Sequence, residues 1–151
     1  MLIQIPDMLS REAALALRAQ ILDAEWVDGN ATSGPGSAMK KFNRQLPEES
    51  PAAQAAQQVV AQALSSNELF LSAALPHTIF PPLFNRYGPG ETFGTHVDNA
   101  VRIHGASGTR IRTDLSATIF LTDPEDYDGG ELELAGPFAR VPYQLPAGHM
   151  P

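Results

Sequence analysis

Apolar positions in the first half of the chain recur at helical spacing, whereas the second half holds short apolar runs broken by Pro, Gly, Asn and Asp. The apolar run Leu2 to Ile5 suits a strand. Ser10 is placed to cap a helix, with Glu12 in its positive first turn, and Ala14, Leu17, Ile21 and Ala24 form one inward stripe. The stretch "VDGNATSGPGSA" ends that helix and is expected to be a mobile loop. A second helix opens at Ser50 with Pro51 in its first position, and turns Ala56, Val59, Val60, Ala63 and Leu64 inward. A third, short helix follows Asn67.

After residue 76 the texture changes. "TIFPPLFNRYGPG", "TFGTHVDNA", "DLSATIFLTD", "GELELAG" and "RVPYQLPAG" have strand length and turn residues between them. Helices leading into strands describe an α+β protein, with residues 1–76 buttressing a β-core over 77–151 in a single domain. No internal repeat is visible.

Charge and composition narrow the chemistry. Seventeen acidic against ten basic residues give a net charge of -7, a surface that repels phosphate backbones and anionic lipid. Neither nucleic acid nor a membrane is therefore expected as a partner. The chain has no cysteine, so any transition metal must be held by nitrogen and oxygen ligands. "MLIQIPDMLSREA" lacks the basic and apolar regions of an export signal, and no apolar run is long enough to span a bilayer. The expectation is a soluble, cytoplasmic protein.

The sharpest chemical signal is His96-Val97-Asp98. Residues i and i+2 of a strand share a face, so an imidazole and a carboxylate stand side by side with Val97 turned away. A divalent metal can take both, and with a second histidine they would form the 2-His-1-carboxylate triad of non-haem Fe(II) oxygenases. Three glycines in the preceding "YGPGETFGT" can bend this strand toward a cavity. The alternative is a surface hydrogen bond between the two side chains, because a bare H-x-D arises often by chance.

"FNRYGPGETFGTHVDNAV", "RTDLSATIFLTDPEDYDGGELEL" and "VPYQLPAG", in that order, resemble the PKHD-type hydroxylases, prolyl-4-hydroxylase-like Fe(II)/2-oxoglutarate-dependent dioxygenases; "MLIQIPDMLS", "KKFNRQLP" and "LPHTIFPPLFNRY" fit as well. The resemblance implies a double-stranded β-helix, or jelly roll, with the helices packed outside. It places His96 and Asp98 on two of the iron ligands, as catalytic and metal-binding residues, and Tyr87 on a tyrosine that reaches 2-oxoglutarate. From the residues alone, Tyr87 reads equally as a strand-end core aromatic. The implied cofactors are Fe(II), 2-oxoglutarate and O2, with ascorbate as reductant. The implied reaction hydroxylates a substrate C–H with release of succinate and CO2, the substrate being a small molecule or peptide.

The resemblance also implies a distal histidine and a basic residue beyond "LPAG", where this chain reads "LPAGHMP". His149 falls too early for the third ligand, and His104 could reach a metal only through a tight turn. His77 reads as a surface residue. The expectation is a chain truncated or altered relative to the family, lacking its last strands and of doubtful activity, with exposed strand edges that favour a homo-oligomer. Two rivals stand beside the dioxygenase: a metal-binding β-barrel without oxygenase activity, and a catalytically inactive remnant. The six carboxylates of "TDPEDYDGGELE" do not match a calcium loop and read as an inter-strand turn. Arg102, Arg110 and Arg112, in a loop after the H-x-D segment, could form a lid for an anionic substrate or simply solubilise it.

Overall fold

In the computed structural model, residues 2–32, 40–105, 107–136 and 139–151 are described. Helix α1 (Arg11–Leu22) begins where Ser10 accepts a hydrogen bond from the Ala13 amide, and it buries Ala14, Leu17 and Ile21. Helix α2 (Pro51–Ser66) starts likewise, with Ser50 accepting from Ala53 and proline in the first turn. Asn67 ends α2 and caps α3 (Glu68–Ala74) through its side chain. The inward face of α2 carries Ala53, Ala56, Val60 and Leu64. Val59, expected inside, is 38% exposed. Val59 and Val60 are adjacent apolar residues, so spacing left the face of α2 ambiguous by one residue, and packing against α1 turns Val60 inward.

The two helices pack on each other and on Leu46, Phe70 and Phe84. The same cluster takes in Ile5, Met8 and Leu9 from the start of the chain and Ala147 and Met150 from its end. Each fully buried side chain of this size contributes roughly 1.5–3 kcal/mol. Ile5 and Met150 exchange backbone hydrogen bonds in an isolated bridge, and the Leu9 amide donates to the Gly148 carbonyl. Gly148 and Phe120 are joined by a further bond, from the Gly148 amide to the Phe120 carbonyl. The apolar run at residues 2–5 is thus not a full strand but supplies one bridge.

The strands are short and antiparallel. β1 (Val27–Asp28), β3 (Arg44–Gln45) and β4 (Asn85–Arg86) form one sheet in the order β1-β3-β4. β2 (Lys41–Phe42) pairs with β5 (Thr92–Phe93). β6 (Val101–Ile103) and β7 (Arg110–Arg112) form a hairpin, as do β8 (Leu132–Ala135) and β9 (Arg140–Tyr143). The α+β class agrees with the sequence reading. Among the described residues, however, the strands make separate small sheets and do not close into a barrel. "DLSATIFLTD" carries no assigned strand; its order comes from the backbone bonds of Phe120 to Gly148 and His149. The segment read as an arginine-bearing loop is instead the β6–β7 hairpin, turned by Gly108 at φ +66°. Of the presumed mobile loop after α1, residues 27–32 are ordered as β1 and a short 3-10 turn, and 33–39 lie outside the described residues. "TDPEDYDGG" is an irregular turn: a 3-10 turn over Pro124–Asp126 followed by Gly129 and Gly130, both at positive φ.

A short ionic contact ties the start of α1 to the β half. Buried Asp123 accepts from Arg11 at 2.9 Å and from the Ala147 amide at 3.0 Å. The amide bond, then the guanidinium, hold its carboxyl below the usual carboxylate range. A carboxylate with a depressed folded-state pKa contributes stability that is complete above its unfolded pKa and disappears as pH falls through the folded value. Asp123→Asn is therefore expected to lower Tm at neutral pH, and the gap from wild type should close below about pH 4. Thermal melts of both proteins between pH 7 and 3 check this. A gap that persists unchanged at pH 3 would assign the effect to packing instead.

Candidate metal centre

The stretch 40–46 organises the site. On one side it pairs with residues 84–94, through Lys41↔Phe93, Phe42↔Thr92, Arg44↔Arg86 and Gln45↔Asn85. The partner segment leaves this register only at Gly88–Glu91. There the Glu91 amide donates to the Gly88 carbonyl at 3.0 Å, with Pro89 second and Gly90 third at φ +79°. Proline followed by a positive-φ glycine is the pattern of a type II turn. The Glu91 carboxylate closes the turn by accepting from the Gly88 amide at 2.7 Å.

Strand periodicity sends Lys41, Asn43 and Gln45 to one face, and all three are buried, while Phe42 and Arg44 are exposed. The Lys41 ammonium donates to Gln45 Oε1 at 3.1 Å and lies 5.5 Å from the centre of the Phe93 ring. Burial, then the charge of Arg102, lower its pKa, while Asp28 acts in the opposite direction. Asn43 Nδ2 donates to Asn85 Oδ1 at 3.3 Å. Extending the register sets Asn43 opposite Tyr87. Burial raises the Tyr87 pKa against a smaller opposing effect of the Asn43 side chain, so its phenol stays a neutral donor at physiological pH. β1 and its following turn cover this stretch: the Gly29 amide donates to the Asn43 carbonyl, and Asn30 Nδ2 donates to that of Lys41. A side chain at position 29 would overlap Asn43 Oδ1, so only glycine allows this approach.

Phe93 carries the geometry on to His96. Their rings stack at 3.6 Å with an interplanar angle of 12°. His96 Nδ1 lies 2.8 Å from the Gly94 carbonyl oxygen. A carbonyl only accepts, so Nδ1 carries a proton and Nε2 is the ring nitrogen left to meet a metal. That nitrogen stands 3.4 Å from Asp98 Oδ1. The imidazole nitrogen and the carboxylate are close enough to share one cation. Metal bonds of about 2.1 Å at right angles separate donor atoms by about 3.0 Å, so the pair fits two adjacent ligand positions with little adjustment. Val97, 94% exposed, points away. The side-by-side placement holds although residues 94–99 carry no assigned strand.

Among the described residues, no group of three potential ligands is assembled. His149 Nε2 faces Asp7 at 3.6 Å. His104 Nδ1 bonds the Ser107 hydroxyl at 2.8 Å in the β6–β7 turn, and its ring meets Phe80 edge-on. His77 is exposed. Arg102 lies over the Phe80 ring at 4.5 Å and approaches Glu48 at 4.0 Å, so it is engaged at the base of the hairpin. On the outward face, Arg44 and Arg86 line an open cleft of about 410 Å³ with Trp26 and Glu91. It contains none of the candidate ligands.

No family model matches the chain. It is 55% identical to a PKHD-type hydroxylase of Phenylobacterium zucineum and 53% identical to one of Methylobacillus flagellatus, in each case over 99% of this chain and 66% of the relative. A PKHD-type hydroxylase of Bordetella pertussis is 52% identical over the same extents. This chain is a homologue of the PKHD-type hydroxylases. It spans 66% of the length of these relatives. Within the hydroxylase homologue, sequence reasoning singled out His96, Asp98 and Tyr87 but missed Lys41, Asn43 and Gln45. Their signal was the alternation of polar residues in "KKFNRQL", which reads as an exposed edge until its partners are known. Among the described residues no helix is long and apolar enough to cross a membrane.

Proposed function

We propose that this chain carries the metal pair and cosubstrate tyrosine of an Fe(II)- and 2-oxoglutarate-dependent hydroxylase, on a fold of the double-stranded β-helix type. The observation that carries the reading is the approach of His96 Nε2 to Asp98 Oδ1 with Nδ1 committed to Gly94, in a chain 55% identical to a named hydroxylase. His96 and Asp98 would hold the ferrous ion, which supplies the oxygen-activating chemistry that no side chain offers. The remaining work is the protein's. The Gly94 carbonyl and the Phe93 ring fix the orientation of the imidazole, and Phe93 keeps water from one of its faces. Asp98 supplies the negative charge. Tyr87, held neutral, is suited to donate its O–H to a carboxylate of 2-oxoglutarate. The overall reaction converts a substrate C–H to C–OH while 2-oxoglutarate and O2 become succinate and CO2. The substrate is a small molecule or peptide, ascorbate serves as reductant, and the setting is the cytoplasm.

The test is Mn(II) titration followed by EPR, together with succinate release from 2-oxoglutarate in the presence of Fe(II) and ascorbate. One bound Mn(II) per chain, held weakly by its two protein ligands, is expected, and succinate formation would support the full hydroxylase reading. Absence of Mn(II) binding at neutral pH would end the proposal. A second reading, metal binding without turnover, is favoured by the missing third ligand among the described residues. It predicts bound Mn(II) and no succinate.

A further inference from the structure

Burying a cation without a carboxylate partner costs several kcal/mol, and proteins rarely keep such a group without use. Lys41 is 7% exposed, and among the described residues it forms no ion pair. Among the described residues its hydrogen-bond acceptor is the neutral Gln45. The charges that act on it are another cation, Arg102, and a more weakly felt Asp28. In a chain of net charge -7, carboxylates to pair it were plentiful.

Its position is equally specific. Lys41 touches the Phe93 ring, and Phe93 stacks on His96. Two positions along the same face, Asn43 stands opposite Tyr87 in the extended register. The buried polar row therefore reaches the metal pair through one aromatic ring, Phe93. We propose that Lys41, with Gln45 and Asn43 beside it and Tyr87 opposite, forms a carboxylate-binding subsite next to His96 and Asp98. The inference rests on the reading of that pair as a metal site. The carboxylate belongs either to 2-oxoglutarate or to the substrate.

Two variants separate this role from a structural one. Lys41→Met keeps the length of the side chain and removes its charge. Gln45→Glu places an internal carboxylate at the position now 3.1 Å from the amine, where it would neutralise Lys41. If Lys41 serves a ligand, both variants should fold with Tm equal to or above wild type, because an uncompensated buried charge is removed or paired. Calorimetric titrations of Mn(II)-loaded protein then use three probes: 2-oxoglutarate, 2-oxopentanoate (the same chain without the far carboxylate), and glutarate added to protein saturated with 2-oxoglutarate.

Loss of a charge-assisted hydrogen bond should weaken binding about 10- to 100-fold. A loss of that size for 2-oxoglutarate, with 2-oxopentanoate unchanged, assigns the subsite to the cosubstrate. A loss confined to glutarate assigns it to the substrate. If both variants bind every probe as wild type does, or if both unfold, the subsite is refuted while the metal site stands. If wild type binds no Mn(II), the metal reading falls and the subsite falls with it.

Discussion

Gly148→Ala should cost more stability than alanine at any other positive-φ glycine among the described residues. Gly148 has φ +92°, and a Cβ there would overlap the Leu9 carbonyl oxygen and stand 3.0 Å from its carbon. The colliding atoms are backbone, and they cannot rotate away. They are also held: the Leu9 amide donates to the Gly148 carbonyl at 3.1 Å, and the Gly148 amide to that of Phe120 at 2.7 Å. Left-handed backbone costs roughly 1–2 kcal/mol for an L-residue, and forced overlap in a packed region adds about 1–3 kcal/mol. A sum of about 2–5 kcal/mol lowers Tm by roughly 10 °C in a domain of this size, or prevents folding. Gly90→Ala is the control. Gly90 has φ +79°, but nothing lies within 4 Å of its added Cβ, so only the conformational part remains. Thermal denaturation of both variants measures the difference. Equal losses would mean that the ends of the chain do not pack as described.

His96→Ala should abolish metal binding and leave the fold intact. The ring contributes one of two adjacent donors, and its side chain is 29% exposed, so the core does not depend on it. Replacing even an outer-shell partner of a metal ligand costs 10- to 100-fold in affinity, and removal of the ligand itself should cost at least about 100-fold. Asp98→Asn should behave similarly, because it removes the charge and retains the shape. Phe93→Leu should lose about tenfold, through looser orientation of the imidazole. Mn(II) titration with Tm as the companion measurement reads all three. Unchanged affinity in His96→Ala would place any bound metal elsewhere in the molecule.

The helices were legible because their signals are local. Ser10, Ser50 and Asn67 accept from the amides they precede, as their positions suggested, and Leu17, Ile21, Val60 and Leu64 face the core. The strands were overread. "DLSATIFLTD" has strand composition, but its partners are the turn residues Gly148 and His149, far along the chain. Pairing is a long-range property, and a short apolar run between prolines and glycines does not specify it. The adjacency of His96 and Asp98 survived this error because it needs only extended backbone over three residues. The buried row was illegible for the opposite reason. A lysine, an asparagine and a glutamine carry no local sign of burial, and only Phe93, Asn85 and Tyr87, some forty to fifty residues on, enclose them.

The stretch 40–46 also imposes a parity on the chain. Over 41–45 its odd-numbered members meet the aromatic and amide partners and Phe42 and Arg44 meet solvent, before Leu46 turns into the core. Gaining or losing one residue within it would exchange Lys41, Asn43 and Gln45 for Phe42 and Arg44 and leave every backbone pairing nominally satisfied. Divergent versions of this sequence can therefore vary freely in side chain at 42 and 44, but they can change length there only by twos.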